Sequence, residues 1–365
     1  MRKKRRKKNK LKKNILTWLG VFAVITVSVF ALGKLDLLGK NKTKPNITYE
    51  ASPTVDPIDI TEKNANNISY PTIIPTPGEI DYDSIPGLTN EKLYSEQLVS
   101  KGSKNVLFVG SDKLSGLYDT IGILSIDKEN KKLKLIMIPR DLHIDYNQKV
   151  EHYMAIHGKA GNPGFYKINC AHNIGPYLKY KGKFEPYSMN FLADVIKEKF
   201  GIEVDDYIKI NPDGFVELVD LFGGVDLNVP YDMNYDDPYQ DLSIHLKKGM
   251  QQLNGKQAEG FVRYRQGYNA QNKLVQIGDV ERKNNQIYFI KSFIKQHGTI
   301  SNIDKIPGLI KTLNKNLKHS LGVGDLLTSY LGSAKDSITQ KYEIESVTLS
   351  GKGKMVDGSY FIFIE

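Results

Sequence analysis

Between Ile15 and Gly33 the chain runs for 19 residues without a charged side chain, ILTWLGVFAVITVSVFALG. This stretch constrains the chain most, because about 20 apolar residues in a helix cross the hydrocarbon core of a bilayer. Ten of the 51 Lys and Arg lie just before it, between Arg2 and Lys13, and nothing acidic occurs before Asp36. Positive flanks resist translocation, so the predicted topology is residues 1–14 in the cytoplasm, a transmembrane helix over 15–33, and Lys34–Glu365 outside the cell. The chain is then a single-pass protein of the plasma membrane. A cleaved signal peptide is the alternative, and Ala31-Leu32-Gly33 is a poor version of the small-x-small site it needs.

The same distribution limits function. The formal net charge is +10, yet beyond Gly33 the chain carries 41 basic against 41 acidic residues. Its basicity belongs to the N-terminus, not to a folded surface, which argues against a nucleic-acid partner. A single cysteine, Cys170, excludes a disulfide framework and any multi-cysteine zinc site. The seven histidines are scattered, which argues against a histidine metal site.

Residues 34–104 read as an extracytoplasmic linker, with seven prolines between Pro45 and Pro86 and many Asn, Thr and Lys. Such a segment buries too little apolar surface to offset its chain entropy. The globular part is expected over 105–365. Asn105–Val109, Ile121–Ile126 and Leu133–Ile138 read as strands, the last two joined through the turn Asp127–Lys132. Ser188–Phe200 has helical periodicity and stops at Gly201. Asp206–Ile210 and Val225–Val229 read as strands around a helix over Phe215–Phe222. A short helix is expected at Gly255–Ala258, and a long one from Asp279, as N-cap, to His297. Further helices fit Ile303–Leu317 and Asp325–Ala334, and strands fit Tyr342–Leu349 and Tyr360–Ile364. Alternating strands and helices predict an α/β fold, a mixed β-sheet flanked by helices.

No Walker A loop, GxSxG elbow, HExxH or CxxC occurs. What stands out are arginines and acids at element ends. Asp112 and Asp119 bracket a loop between two strands, where they can converge on Mg²⁺ or Mn²⁺, hard ions that prefer oxygen. Both also suit plain turn roles. Arg140 and Asp141 follow the third strand, as part of the site or as a surface ion pair. Arg263 and Arg265 are i and i+2, and in an extended segment they share a face on which an anion relieves their repulsion. Two solvated surface arginines are the other reading. Arg282 and Gln286 are i and i+4 on one helix face, with Asp279 at its start. Lys167 and Asn169 add a cation and an amide. A pyrophosphate or phosphodiester site with a divalent ion accounts for all of them, since phosphoryl transfer relies on positioning and charge neutralisation.

These motifs carry a resemblance. NVLFVGSD, YDT, IPRD, YKINCAH, VDDYIKINPDGFVELVDLFGGVDLNVP, LKKGMQQLNGKQA, FVRYR and GDVERKNNQ resemble the LytR–CpsA–Psr family in strand and motif order, over about Asn105–Gln296. The resemblance implies a phosphotransferase. It moves a phosphate-linked glycopolymer (teichoic acid, capsule or secondary wall polysaccharide) from a polyprenyl pyrophosphate carrier to the C6 hydroxyl of N-acetylmuramic acid in peptidoglycan. It also implies that Asp112 and Asp119 hold Mg²⁺ (or Mn²⁺), and that Arg140, Lys167, Arg263, Arg265, Arg282 and Gln286 bind the pyrophosphate. Arg140 and Arg265 act in catalysis, and Asp279 helps the acceptor hydroxyl. The polyprenyl tail needs an apolar slot, for which Phe191/Val195 and Phe289/Phe293 are candidate walls, though core packing explains them as well. The chain departs from the family in a shorter Asp112–Asp119 loop, in Leu117-Tyr118 in place of Arg-Ser, and in Asn285 in place of a second helix arginine. A non-catalytic binder or sensor of lipid-linked polymer is the alternative function.

Overall fold

The computed structural model describes residues 80–111, 116–269, 271–297, 317–320 and 342–364. The predicted span 15–33, Asp112 and the helix Asp325–Ala334 lie outside these residues. So does the helix expected at Ile303–Leu317, save its last residue, Leu317, which begins a strand instead. No helix among the described residues is long and apolar enough to cross a membrane.

The strands are β1 (Lys104–Ser111), β2 (Tyr118–Asp127), β3 (Lys132–Ile138), β4 (Asp206–Ile210), β5 (Val225–Val229), β6 (Met233–Asp237), β7 (Leu242–Leu246), β8 (Gly249–Leu253), β9 (Gln266–Tyr268), β10 (Leu274–Gln276), β11 (Leu317–His319), β12 (Glu343–Thr348), β13 (Lys352–Val356) and β14 (Ser359–Phe363). The helices used below are α1 (Gln148–Ile156), α2 (Tyr187–Phe200), α3 (Pro212–Leu221), α4 (Gly255–Arg263) and α5 (Gly278–His297). Six strands form one sheet in the order β11-β4-β1-β2-β3-β12. β1–β2 and β2–β3 are antiparallel, whereas β1–β4 and β3–β12 are parallel. The sheet is therefore mixed, as expected.

Local chemistry sets the element ends. The Asp127 carboxylate accepts from the Asn130 backbone N–H and side-chain amide, closing the β2–β3 turn. The α2 stripe Phe191, Leu192, Val195, Ile196 and Phe200 is buried, and Gly201 takes the left-handed conformation (φ 66°) that ends the helix. α3 starts on an Asn211 cap with Pro212 in its first turn. α4 starts on a capping box between Asn254 and Gln257.

Alternation along the central strands sends side chains to two cores. Leu107, Val109, Ile121, Ile123, Ile136 and Ile138 face the core that contains α2. Val106, Leu124 and Leu133 face the other, with residues of α3, α4 and α5. The expected start of the globular part at Asn105 is too late. Leu88 and Leu98 are buried in the α2-side core, and the Leu88 and Thr89 backbone N–H groups donate to the Glu198 carboxylate. An Asn-, Pro- and Thr-rich composition concealed these two apolar anchors.

Candidate functional site

One end of the sheet gathers the charged residues. β1 ends at Ser111, β2 begins at Tyr118, and Arg140 follows the end of β3, so antiparallel pairing brings Arg140 beside Asp119. The Arg140 Nη1 donates to Asp119 Oδ1, and its Nε donates to Asp141 Oδ2 at 3.3 Å. Arg282, buried on α5, donates from Nη2 to the Asp119 backbone carbonyl at 2.9 Å, and its Nη1 lies 3.8 Å from Asp119 Oδ1. One turn further along α5, the Gln286 Nε2 donates to Thr120 Oγ1 at 3.0 Å and to the Val262 carbonyl at 3.1 Å. The i, i+4 spacing does put Arg282 and Gln286 on one face.

Arg265 completes the group. Burial lowers its pKa, and the positive charges of Arg140 and Arg282 lower it further, with Asp119 and Asp141 opposing. It remains a cation at any physiological pH. Burial alone would raise the pKa of Asp119, but Arg282, Arg140 and Arg265 outweigh it, and the carboxyl is held below its ordinary value. Two guanidiniums, those of Arg140 and Arg282, thus contact one carboxylate, and the Arg265 guanidinium lies within electrostatic reach of it. Like charges held this close in a half-buried place are stabilised by a polyanion whose oxygens match guanidinium forks.

Arg263 differs from the expectation. It is the last residue of α4, not part of an extended segment, so it does not pair with Arg265 by i, i+2 geometry. Its Nη1 donates to Glu259 Oε1 at 2.7 Å and its Nη2 donates to Gln240 Oε1 at 2.6 Å. Arg263 still lines the same cavity. Glu259, only 2% exposed, was missed; the i, i+4 Glu–Arg spacing becomes a signal only once the helix is known to reach Arg263. Lys167 does not line the cavity. Its Nζ donates to Asp141 Oδ1 at 2.9 Å and sits 5.3 Å from the centre of the Phe361 ring. The buried Asp141 therefore positions Arg140 and Lys167 together. Asp279 lies inside the first turn of α5, which starts at Gly278, so it is not the N-cap. Asn285 is fully buried and does not line the cavity, whereas Leu117 does.

The cavity has a volume of about 400 Å³ and two characters. Arg140, Arg265, Arg282, Asp119 and Gln286 line it at the loop ends, Val106, Phe108, Leu124, Phe215, Phe289 and Phe293 form its apolar part, and Asp237, Gln240, Glu259 and Arg263 add a further polar wall. Along α5 the lining passes from Arg282 to Phe293, which at 1.5 Å per residue spans roughly 16 Å. Of the two slots considered, Phe289/Phe293 line this cavity, whereas Phe191 and Val195 pack in the core on the other face of the sheet.

A hard divalent ion takes oxygen ligands, and Mg²⁺ is often held by one or two carboxylates plus substrate phosphates. Asp119 offers such a carboxylate, with Arg140 and Arg282 as its present partners. No cluster of three or more metal-ligating side chains occurs among the described residues. The donor chemistry fits an ion completed by substrate oxygens.

Comparison with known proteins places the chain in a family. The model of the LytR_cpsA_psr family matches residues 81–365. The chain is 25% identical over 279 residues to the polyisoprenyl-teichoic acid–peptidoglycan teichoic acid transferase TagV of Bacillus subtilis, covering 74% of this chain and 62% of that protein. It is 27% identical over 290 residues to the transferase of the same description, TagU, of Oceanobacillus iheyensis, covering 77% of each. An uncharacterized protein of Staphylococcus aureus is 27% identical over 252 residues, 69% of this chain and 53% of that one. The chain thus spans 53% and 62% of the Staphylococcus protein and of TagV. The crystal structure of B. subtilis TagV superposes with a TM-score of 0.52 at 21% identity, over 73% of this chain and 92% of that one. A Streptococcus agalactiae protein superposes at 0.54 and 20% identity, over 71% and 82%. These two likenesses concern the fold.

Proposed function

Since the chain belongs to the LytR–CpsA–Psr family, we propose that it is a membrane-anchored phosphotransferase that moves a phosphate-linked glycopolymer from a polyprenyl pyrophosphate carrier to the C6 hydroxyl of peptidoglycan N-acetylmuramic acid. The observation that carries this reading is that one cavity joins three arginines gathered near Asp119 to an aromatic and aliphatic slot. A polyprenyl pyrophosphate has the matching two parts, a polyanion joined to a long apolar chain.

The pyrophosphate oxygens take the forks of Arg140, Arg265 and Arg282, and Arg140 exchanges its bond to Asp119 for them. Asp141 keeps Arg140 and Lys167 in place during that exchange. Gln286, tied to Thr120, supplies a neutral contact beside the charged ones. Phe108, Phe289 and Phe293 enclose the first part of the tail and keep water from it. The acceptor hydroxyl oxygen attacks the phosphorus that bears the glycopolymer. Its bond to the bridging oxygen breaks, and polyprenyl phosphate leaves with the electron pair. Arg140 and Arg265 stabilise the charge that gathers on the phosphoryl oxygens in the transition state. Asp279, in the first turn of the helix that carries Arg282, takes the hydroxyl proton. Asp119 together with Asp112 would hold Mg²⁺ or Mn²⁺, which when bound neutralises part of the pyrophosphate charge. The span 15–33 keeps the domain at the outer face of the plasma membrane, where both lipid-linked donor and peptidoglycan are found. Teichoic acid is the donor polymer named for the relatives TagV and TagU.

The test uses the full chain with a polyprenyl-pyrophosphate-linked sugar, Mg²⁺ and peptidoglycan oligomers. Release of polyprenyl phosphate with one phosphate joining sugar to glycan, lost in Arg265→Ala, supports the reading. Tight donor binding with no transfer product would instead make the chain a binder.

A further inference from the structure

Three large apolar side chains stand exposed on one two-stranded hairpin. Tyr268 is 41% exposed, Leu274 44% and Val275 43%, and all three belong to the β9–β10 hairpin. Leu274 pairs across the hairpin with Tyr268 on one face, and Val275, paired with Gly267, lies on the other, so both faces of the hairpin present apolar surface. Clustered exposed apolar residues mark a contact with something other than water. The charge pattern is one-sided: from Arg265 to Gly278 there is no acid, and the charged residues are Arg265 and Lys273.

The hairpin is fastened to the anion-binding end of the cavity. Arg265 directly precedes β9, Gln266 lines the cavity wall, and its Nε2 donates to the Tyr235 hydroxyl at 2.8 Å. The Ile277 N–H donates to the Arg265 carbonyl at 2.8 Å and closes the hairpin base. The next residue, Gly278, begins α5, which carries Arg282 and Gln286.

We propose that the β9–β10 hairpin is a membrane-docking element, which inserts Tyr268, Leu274 and Val275 into the bilayer interface and holds the cavity mouth against the lipid surface. This rests on the lipid-linked donor of the proposed function. The bilayer is the occupant that the chain itself indicates. A basic run and the uncharged stretch Ile15–Gly33 precede the domain, and residues 34–79 join them to it. Chain geometry alone limits 46 residues to a reach of at most roughly 150 Å, so a domain joined to a membrane span in this way meets the surface at high effective concentration. Tyrosine, aliphatic residues and lysine without acids form the mixture that partitions to an anionic interface. A polyprenyl tail then passes from bilayer to slot without entering water, which its apolar surface disfavours.

The test uses the full chain reconstituted in vesicles of phosphatidylglycerol and phosphatidylethanolamine that carry a headgroup nitroxide quencher. A fluorophore is attached through Gln271→Cys on the hairpin or Glu129→Cys in the β2–β3 turn, at the opposite end of the sheet; the native Cys170 is buried. Quenching at position 271 is expected to exceed that at 129 at least about twofold. Replacing Tyr268, Leu274 and Val275 together by Ser lowers the docked fraction roughly tenfold. Lys273→Glu, a surface change that keeps the apolar side chains, weakens quenching in anionic but not in zwitterionic vesicles. Equal quenching at the two positions, or undiminished quenching in the triple variant, overturns the proposal. Energy transfer between labelled copies without lipid quenching at 271 assigns the hairpin to a second copy of the chain and overturns it too. None of these readouts requires turnover. A chain that docks but transfers no sugar contradicts the proposed function alone, and one that transfers sugar with position 271 unquenched contradicts the docking alone.

Discussion

Gly122 lies on β2 directly opposite Phe108 on β1, and the Phe108 ring covers it while lining the apolar slot. A Cβ added at Gly122 would stand 2.7 Å from both Cε atoms of that ring and closer still to Cζ. Ordinary carbon contacts begin near 3.5 Å, so the ring must retreat by at least roughly 0.8 Å, and the space open to it is the slot. Gly122 is not among the glycines with positive φ, so on backbone grounds alone alanine would stabilise by about 0.4–1 kcal/mol. Overpacking costs about 1–3 kcal/mol and has the opposite sign. Gly122→Ala is therefore expected to destabilise by about 1–2 kcal/mol in wild type, yet to be neutral or stabilising in a Phe108→Ala background. The difference is a coupling energy of about 2 kcal/mol, measurable by urea unfolding of the four proteins of the cycle. The displaced ring also narrows the slot, so polyprenyl phosphate should bind Gly122→Ala more weakly while a short-chain analogue binds as before. Gly122→Ala as stable as wild type, or equally costly in both backgrounds, would refute the reasoning.

Asp141→Asn removes the carboxylate that holds Arg140 and Lys167, and kcat/KM for donor should fall about tenfold, or about 1.4 kcal/mol, with little change in unfolding midpoint. His172 stacks on Tyr118, and burial, aided by the charge of Lys209, pushes its pKa down from 6.5 to about 4. The unfolded chain therefore takes up this proton first, so stability is lost as pH falls from 6.5 to about 4, by roughly 3 kcal/mol, and then levels off. Urea unfolding across that range should show this slope, and His172→Phe should lack it. Arg265→Lys keeps the charge but loses the fork, so its donor affinity should lie between those of wild type and Arg265→Ala in a direct binding titration.

The central fold was legible because its elements carry strong local signals. β1, β2 and β3 are apolar runs bounded by turn residues, and α2 carries a continuous stripe ended by Gly201. The strands β6 (MNYDD), β8 (GMQQL) and β9 (QGY) of the two-stranded sheets were not, since their few apolar residues give no clear alternation. α4 was read too short because Gly260 interrupts it. That shortening placed Arg263 in an extended segment and hid its bond to Glu259. The gathering of Arg140, Arg265 and Arg282 around Asp119 was anticipated from their places at element ends. The diversion of Lys167 to Asp141 was not, because both cations could reach the same acid and only side-chain geometry decides. Nor could spacing choose between the two apolar slots, since both pairs lie on buried helix faces. The sheet separates them.

The most direct measurement is photo-crosslinking with a polyprenyl pyrophosphate that carries a diazirine near the head of its chain, followed by peptide mapping. The account expects labels on Phe108 of β1 and on Phe289 and Phe293 of α5, diminished by Arg265→Ala as the head loses its grip. Labels on Phe191 and Val195 of α2, across the sheet from the arginines, would contradict it.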